Sequence, residues 1–132
     1  MNGSDDKSKA FDDALRSSVV AGWFDQAMTQ HRQGNLTQAQ VFYQRVLDAQ
    51  PDHPEALNFL GILMQQRGQS TQAEQFIRRA IRSTPDYAAA YTNLGNVLIV
   101  QKRYEDAIAA YRQATIYRAD EVEACVNMGA VL

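Results

Sequence analysis

Residues 88–96 read Ala88-Ala89-Ala90-Tyr91-Thr92-Asn93-Leu94-Gly95-Asn96, and the chain continues through Tyr104-Glu105-Asp106-Ala107-Ile108 to Tyr111 and Ala114. In the first stretch Tyr91, Leu94, Gly95 and Leu98 fall at i, i+3, i+4 and i+7, one face of a helix. Ala107, Ala110, Tyr111 and Ala114 mark a second helical stripe after a short break. The same two-part pattern occurs 34 residues earlier, in Leu57, Leu60, Gly61 and Met64 and then Ala73, Phe76, Ile77 and Ala80. Cys125, Met128, Gly129 and Leu132 begin it again. The rows Gly61–Gly95–Gly129, Ala39–Ala73–Ala107, Tyr43–Ile77–Tyr111 and Pro51–Pro85 all keep the 34-residue step. Self-similarity at a fixed period of this size marks an array of repeats, each too small to bury its apolar face alone. Each period predicts two amphipathic helices, A and B, and no strand pattern occurs.

The punctuation agrees with that division. Gly34 and Gly68 stand where helix A stops, at the place for a left-handed residue. Asp52 with Glu55, and Asp120 with Glu123, have the spacing of an N-terminal capping box. Pro54 suits a first helical turn, where its missing N–H costs nothing. Pro51 and Pro85 close helix B. Small residues at Ala27, Gly61, Gly95 and Gly129 on helix A, and at Ala39, Ala73 and Ala107 on helix B, predict close approach of the two backbones. Tyr43, Ile77 and Tyr111 fill the space toward the neighbouring unit. A glycine inside a helix costs about 1 kcal/mol against alanine, so its recurrence implies that close packing offsets the cost.

Composition excludes several classes of function. Thirteen basic and fifteen acidic residues give a net charge of −2 over 132 residues, too weak a field to attract nucleic acid or an anionic membrane. No segment approaches the roughly 18 apolar residues of a membrane span. The single cysteine, Cys125, cannot form an internal disulfide, and with only His31 and His53 beside it no metal site is expected. The polar start Met1-Asn2-Gly3-Ser4-Asp5-Asp6 does not resemble a secretory signal, so the expected location is cytoplasmic. Asp12 with Asp13, and Glu105 with Asp106, are neighbours that diverge on a helix and make no catalytic pair. Glu105 and Asp106 complement the dipole at the start of helix B instead. Without a nucleophile elbow, phosphate loop or metal-ligand pair, neither catalysis nor a cofactor is expected. Cys125 and Trp23 read as packing residues, and His53 as part of a helix cap.

At the residues quoted first, the chain resembles the tetratricopeptide repeat family, most closely in style the arrays of O-GlcNAc transferases. The resemblance covers residues 20–132, as units 20–53, 54–87 and 88–121 and the first helix of a fourth, 122–132. It implies an all-α, right-handed superhelical solenoid of antiparallel helix pairs, with the A helices lining a concave groove. Two departures bear on the helix ends: Lys102 stands where Gly34 and Gly68 stand, and Ala119 replaces the closing proline, so that the last B helix could run on.

The resemblance also implies a protein or peptide partner, held on the side of helix A turned away from helix B. That side carries Phe24, Met28 and His31 in the first unit, Asn58, Ile62 and Gln65 in the second, and Thr92, Asn96 and Ile99 in the third, continued by Val126. Phe24, Asn58, Thr92 and Val126 occupy the row where chaperone-binding relatives carry lysines for a C-terminal carboxylate, which argues against that clamp here. Asn93 and Asn127 lie on the row that forms an asparagine ladder in O-GlcNAc transferases, gripping a substrate backbone; Asp25 and Phe59 interrupt it. An amide suits that task because it donates and accepts at once, although asparagine at this place can equally be structural.

At the N-terminal end, residues 1–9 are expected to be polar and frayed. Phe11, Leu15 and Val19, four apart, predict a short capping helix over 10–19 or an extension of the first A helix. At the other end, the pattern stops within a unit and leaves Val122, Met128 and Leu132 uncovered. That suggests a larger protein, or self-association through the uncapped last helix. The leading expectation is a non-catalytic scaffold binding an extended peptide or partner domain. The alternatives are the substrate-recruiting segment of a larger enzyme, such as a glycosyltransferase, and a self-assembling structural subunit.

Overall fold

A computed structural model describes residues 3–118 and 127 of the chain. All regular structure among them is α-helical, and none of the described helices is long and apolar enough to cross a membrane. The chain divides into two compact units, one ending at Pro51 and the other beginning at Asp52.

The first unit is a pair, α1 (Gly3–Arg32) and α2 (Leu36–Ala49). The segment expected to be frayed is helical from Gly3, and residues 10–19 continue the same helix without a separate cap. No proline interrupts residues 3–32, and the run contains good helix formers such as Lys7, Lys9, Ala10 and Leu15. The two helices meet along Val20 and Ala27 on α1 and Ala39, Tyr43, Val46 and Leu47 on α2, all buried.

The second unit holds two pairs, α3 (Pro54–Gln66) with α4 (Ser70–Ser83) and α5 (Ala88–Val100) with α6 (Tyr104–Tyr117). Helix α5 packs on α6 and on α4, and it also touches α3. The small row does admit close approach of helix B, but Ile77 and Tyr111, expected to face the neighbouring unit, lie over the glycines of their own helix A. A Cβ on Gly61 would lie 2.5 Å from Ile77 Cγ1, and one on Gly95 would run into the Tyr111 ring. Ala73, Ile77, Ala107 and Tyr111 are fully buried opposite them.

Each of the three described A helices ends on a left-handed residue: Gly34 at φ 81°, Gly68 at 77° and Lys102 at 62°. Lysine therefore adopts a conformation that favours glycine. The start of α3 corrects one expectation, because its cap is His53, not Asp52. His53 Nδ1 accepts the Ala56 N–H at 3.1 Å, and the Asp52 carbonyl instead accepts the Ser83 hydroxyl. The matching pair Asp120 and Glu123 lies outside the described residues. Helix α6 does not run on despite Ala119, since Arg118 is already extended.

One charge cluster ties α4 to the turn before α6. The Glu74 carboxylate accepts from Arg78 Nε and from Arg103 Nη1, each at 2.8 Å, and Arg103 also reaches Asp106 at 3.3 Å. Burial alone would raise the Glu74 pKa, but the hydrogen bond from Arg78 and the charges of Arg103 and Arg78 together hold it below the ordinary value.

Three outcomes follow for urea denaturation. Gly95→Ala should lower the midpoint: the gain in helix propensity is about 1 kcal/mol, whereas overpacking against a rigid buried ring costs about 1–3 kcal/mol. Lys102→Gly should raise stability by several tenths of a kcal/mol, as relief of left-handed strain of about 1 kcal/mol is partly offset by the freer unfolded chain. Glu74→Gln should cost about 1 kcal/mol at neutral pH. Because the folded pKa lies below the unfolded one, this difference is present above the unfolded carboxyl value and should vanish as pH falls through the folded value.

Candidate functional site

The residues singled out along the A helices fall into two sets, one in each unit. In the first unit Tyr43 of α2 is buried and its hydroxyl emerges beside α1. It lies 2.8 Å from His31 Nδ1 and donates to Met28 Sδ at 3.4 Å. A His31 Nδ1–H donating to that hydroxyl completes both bonds with one proton each. The Tyr43 ring packs at a tilt on Phe24 and edge-on against His31. Burial raises the Tyr43 pKa against the opposing charge of Arg32, so the phenol stays neutral. Phe24, Met28 and His31 are thus brought together, all half-buried.

In the second unit two expectations need correction. Asn58 and Thr92 are each only 2% exposed, so neither presents its side chain to a guest. Asn58 Nδ2 donates to the Tyr87 hydroxyl at 3.3 Å, and Asn58 Oδ1 accepts from Asn93 Nδ2 at 3.0 Å. The Tyr87 pKa is raised by burial and by the Glu55 carboxylate, against the hydrogen bond from Asn58. Thr92 returns its hydroxyl to the Ala88 carbonyl one turn back, at 3.4 Å. Both side chains are thus enclosed and do not form an open row.

The remaining positions stay half-buried on the A-helix side: Ile62 and Gln65 on α3, and Asn93, Asn96 and Ile99 on α5. Asn96 Oδ1 accepts twice, from the Tyr111 hydroxyl at 2.7 Å and from Asn127 Nδ2 at 2.8 Å. Gln65 Oε1 is buried without a hydrogen-bond partner among the described residues. Val126 lies outside them. Both asparagines of the ladder row therefore use an N–H backward, Asn93 toward Asn58 and Asn127 toward Asn96. Beyond that bond, the Asn93 side chain makes no other hydrogen bond among the described residues, which leaves its amide carbonyl and second amide N–H for other partners. The described residues contain no group of three His, Cys, Asp or Glu side chains able to hold a metal ion.

Reading rows for packing alone overlooked the tyrosine hydroxyls. A signal was present in the register. Where the B row carries Tyr43 or Tyr111, the A row opposite carries Met28 or Asn96, both hydrogen-bond acceptors. Where it carries Ile77, the A row carries Ile62.

Comparison with known proteins agrees with this geometry. Sequence profiles of the tetratricopeptide repeat match residues 30–94 and 88–115. No curated protein sequence matches the chain. Among solved structures, an O-GlcNAc transferase from Thermobaculum terrenum, the K341M mutant, is similar with a TM-score of 0.85 and 29% identity over 89% of this chain. This chain spans only 22% of that protein's length. The first repeat domain of Spaghetti (RPAP3), bound to the HSP90 peptide SRMEEVD, has a TM-score of 0.81 and 18% identity, covering 85% of this chain and 89% of that one. Pseudomonas aeruginosa pilF has a TM-score of 0.81 and 24% identity, covering 88% of this chain and 53% of that one. At the two lower identities the likeness concerns the fold: an all-α solenoid of helix pairs. The 34-residue register, the helix pairs and the matching profiles carry one conclusion, that this chain belongs to the tetratricopeptide repeat family.

Proposed function

We propose that this chain is a protein-interaction scaffold whose A helices hold an extended polypeptide, with side-chain amides meeting the guest's backbone. The carrying observation is the direction of the amide bonds. Asn93 donates one N–H to Asn58 at 3.0 Å and has a carbonyl and an N–H left over. That pair matches the acceptor and donor of a peptide group whatever its side chain. Ile62 and Ile99 offer apolar contact on the same helices. Asn58 and Thr92 act behind this surface as supports. Family membership supports the scaffold, as does the peptide seen on the RPAP3 domain. In that reading a reducing compartment such as the cytoplasm suits the lone Cys125.

A second reading has one observation of its own in favour. The similarity to the T. terrenum O-GlcNAc transferase, at 29% identity, fits a segment that recruits substrates to a transferase domain elsewhere in a longer chain. The coding sequence beyond residue 132 tests it: a transferase domain there supports it, and a stop codon within the next repeat removes it.

The groove itself is tested by titrating the isotope-labelled chain with unstructured peptides of differing sequence. The side-chain amide resonances of Asn93 and Asn96 should move, and Asn93→Ala should weaken every peptide by a similar factor of about 10, the loss of one hydrogen bond of about 1.4 kcal/mol. The peptide SRMEEVD should bind no better with a free C-terminal carboxylate than with an amide. Sequence-selective losses, or a strict need for the carboxylate, would refute backbone gripping.

A further inference from the structure

The first unit exposes a surface that the groove does not use. Helix α1 has 30 residues and α2 has 14, so at about 1.5 Å per residue α1 is the longer by roughly 24 Å. Its N-terminal half carries Phe11, Leu15 and Val19, which are 67%, 50% and 48% exposed. They lie four residues apart on one row, and Trp23 continues that row into the packed part of the unit. Where the row meets the end of α2 there is an open notch of about 440 Å³, lined by Leu15, Arg16, Val19, Val20, Trp23 and Ala49 among others. An aligned apolar row of this kind differs from scattered surface residues, which need no explanation.

We propose that this row is the contact between two copies of the chain, paired antiparallel about a two-fold axis through Leu15. The row is symmetric about that residue: Phe11 and Val19 each lie four positions away, about 6 Å along the helix. Reversal of one copy sets each Phe11 beside Val19 of the other, next to the notch, which is large enough for an aromatic ring. The flanking charges select the same orientation. Asp12 and Asp13 precede Leu15 and Arg16 follows it, so antiparallel pairing brings each Arg16 within a turn of the acidic pair of the second copy. Parallel pairing would instead oppose aspartates to aspartates and arginine to arginine. Rows spaced by four interdigitate at a crossing of about −50°, which confines the contact to these residues. Because one patch faces itself, the assembly closes as a dimer and does not propagate.

Three apolar side chains per copy fall short of the roughly 1,200 Å² that stable interfaces bury. Monomer and dimer should therefore exchange, with dissociation constants on the order of tens of micromolar. Sedimentation of the full chain over a concentration series should show that equilibrium. Leu15→Asp, at a half-exposed site, should raise the dissociation constant at least tenfold with the far-ultraviolet circular dichroism unchanged.

Two further variants test the orientation. Arg16→Asp alone, and Asp12→Arg with Asp13→Arg, should each self-associate poorly, whereas an equimolar mixture should dimerise at least as well as the parent. In a Cys125→Ser background, Leu15→Cys should oxidise to a covalent dimer, and Phe11→Cys should do so only when mixed with Val19→Cys. A strictly monomeric parent at all concentrations overturns the proposal. So does a dimer indifferent to Leu15→Asp, which would place the contact elsewhere, or a row occupied by a different protein while copies of this chain ignore one another.

Discussion

The approach of helix A to helix B across Gly61 and Gly95 is the constraint on which the second unit depends. With no Cβ in the way, Ile77 and Tyr111 lie directly over the A-helix backbone, and each pair becomes thin enough for the next to stack on it. The consequence reaches the A-helix side. A tyrosine passing over glycine delivers its hydroxyl to the far flank of helix A, as Tyr111 does to Asn96. Isoleucine at the same place stops short, and Ile62 there is apolar. In the first unit the slightly larger Ala27, fully buried, stands in that row, and the Tyr43 hydroxyl still reaches Met28 and His31. Close packing of backbones thus decides where polar chemistry surfaces.

Much of this was legible before any coordinates, and for a physical reason. Period, helix pairing and the left-handed turns at Gly34 and Gly68 are properties of short windows of sequence, and a 34-residue register states each of them more than once. The departure at Lys102 was legible too, and it takes the same left-handed φ as the glycines it replaces. Burial was harder to read. Asn58 and Thr92 lie on the side of helix A turned from their own helix B, which a two-helix argument treats as open. Packing of successive pairs within the second unit closes over part of that side, and only three-dimensional stacking reveals which part. His53 was legible as part of a cap, but the capping box was assigned to Asp52 for a similar reason. A D-x-x-E spacing identifies side chains able to cap, whereas backbone angles at residue 53 choose which one does.

The asparagine row shows why structural and ligand-binding readings of one residue need not compete. An amide offers two donors and two acceptor lone pairs, and Asn58, fully enclosed, uses both kinds of group inside the protein. Asn93 uses a single N–H to hold Asn58. That bond restrains the side-chain torsions, and with them the amide carbonyl and second N–H. Ordering a rotamer-rich side chain at an interface costs about 0.5–1.5 kcal/mol, and an amide already held from within has met much of that cost on folding. In the proposed scaffold, the contact between repeats would thus order part of the guest-facing surface in advance. A ladder position without an amide neighbour in the preceding unit would offer the same atoms to a guest, but less firmly placed.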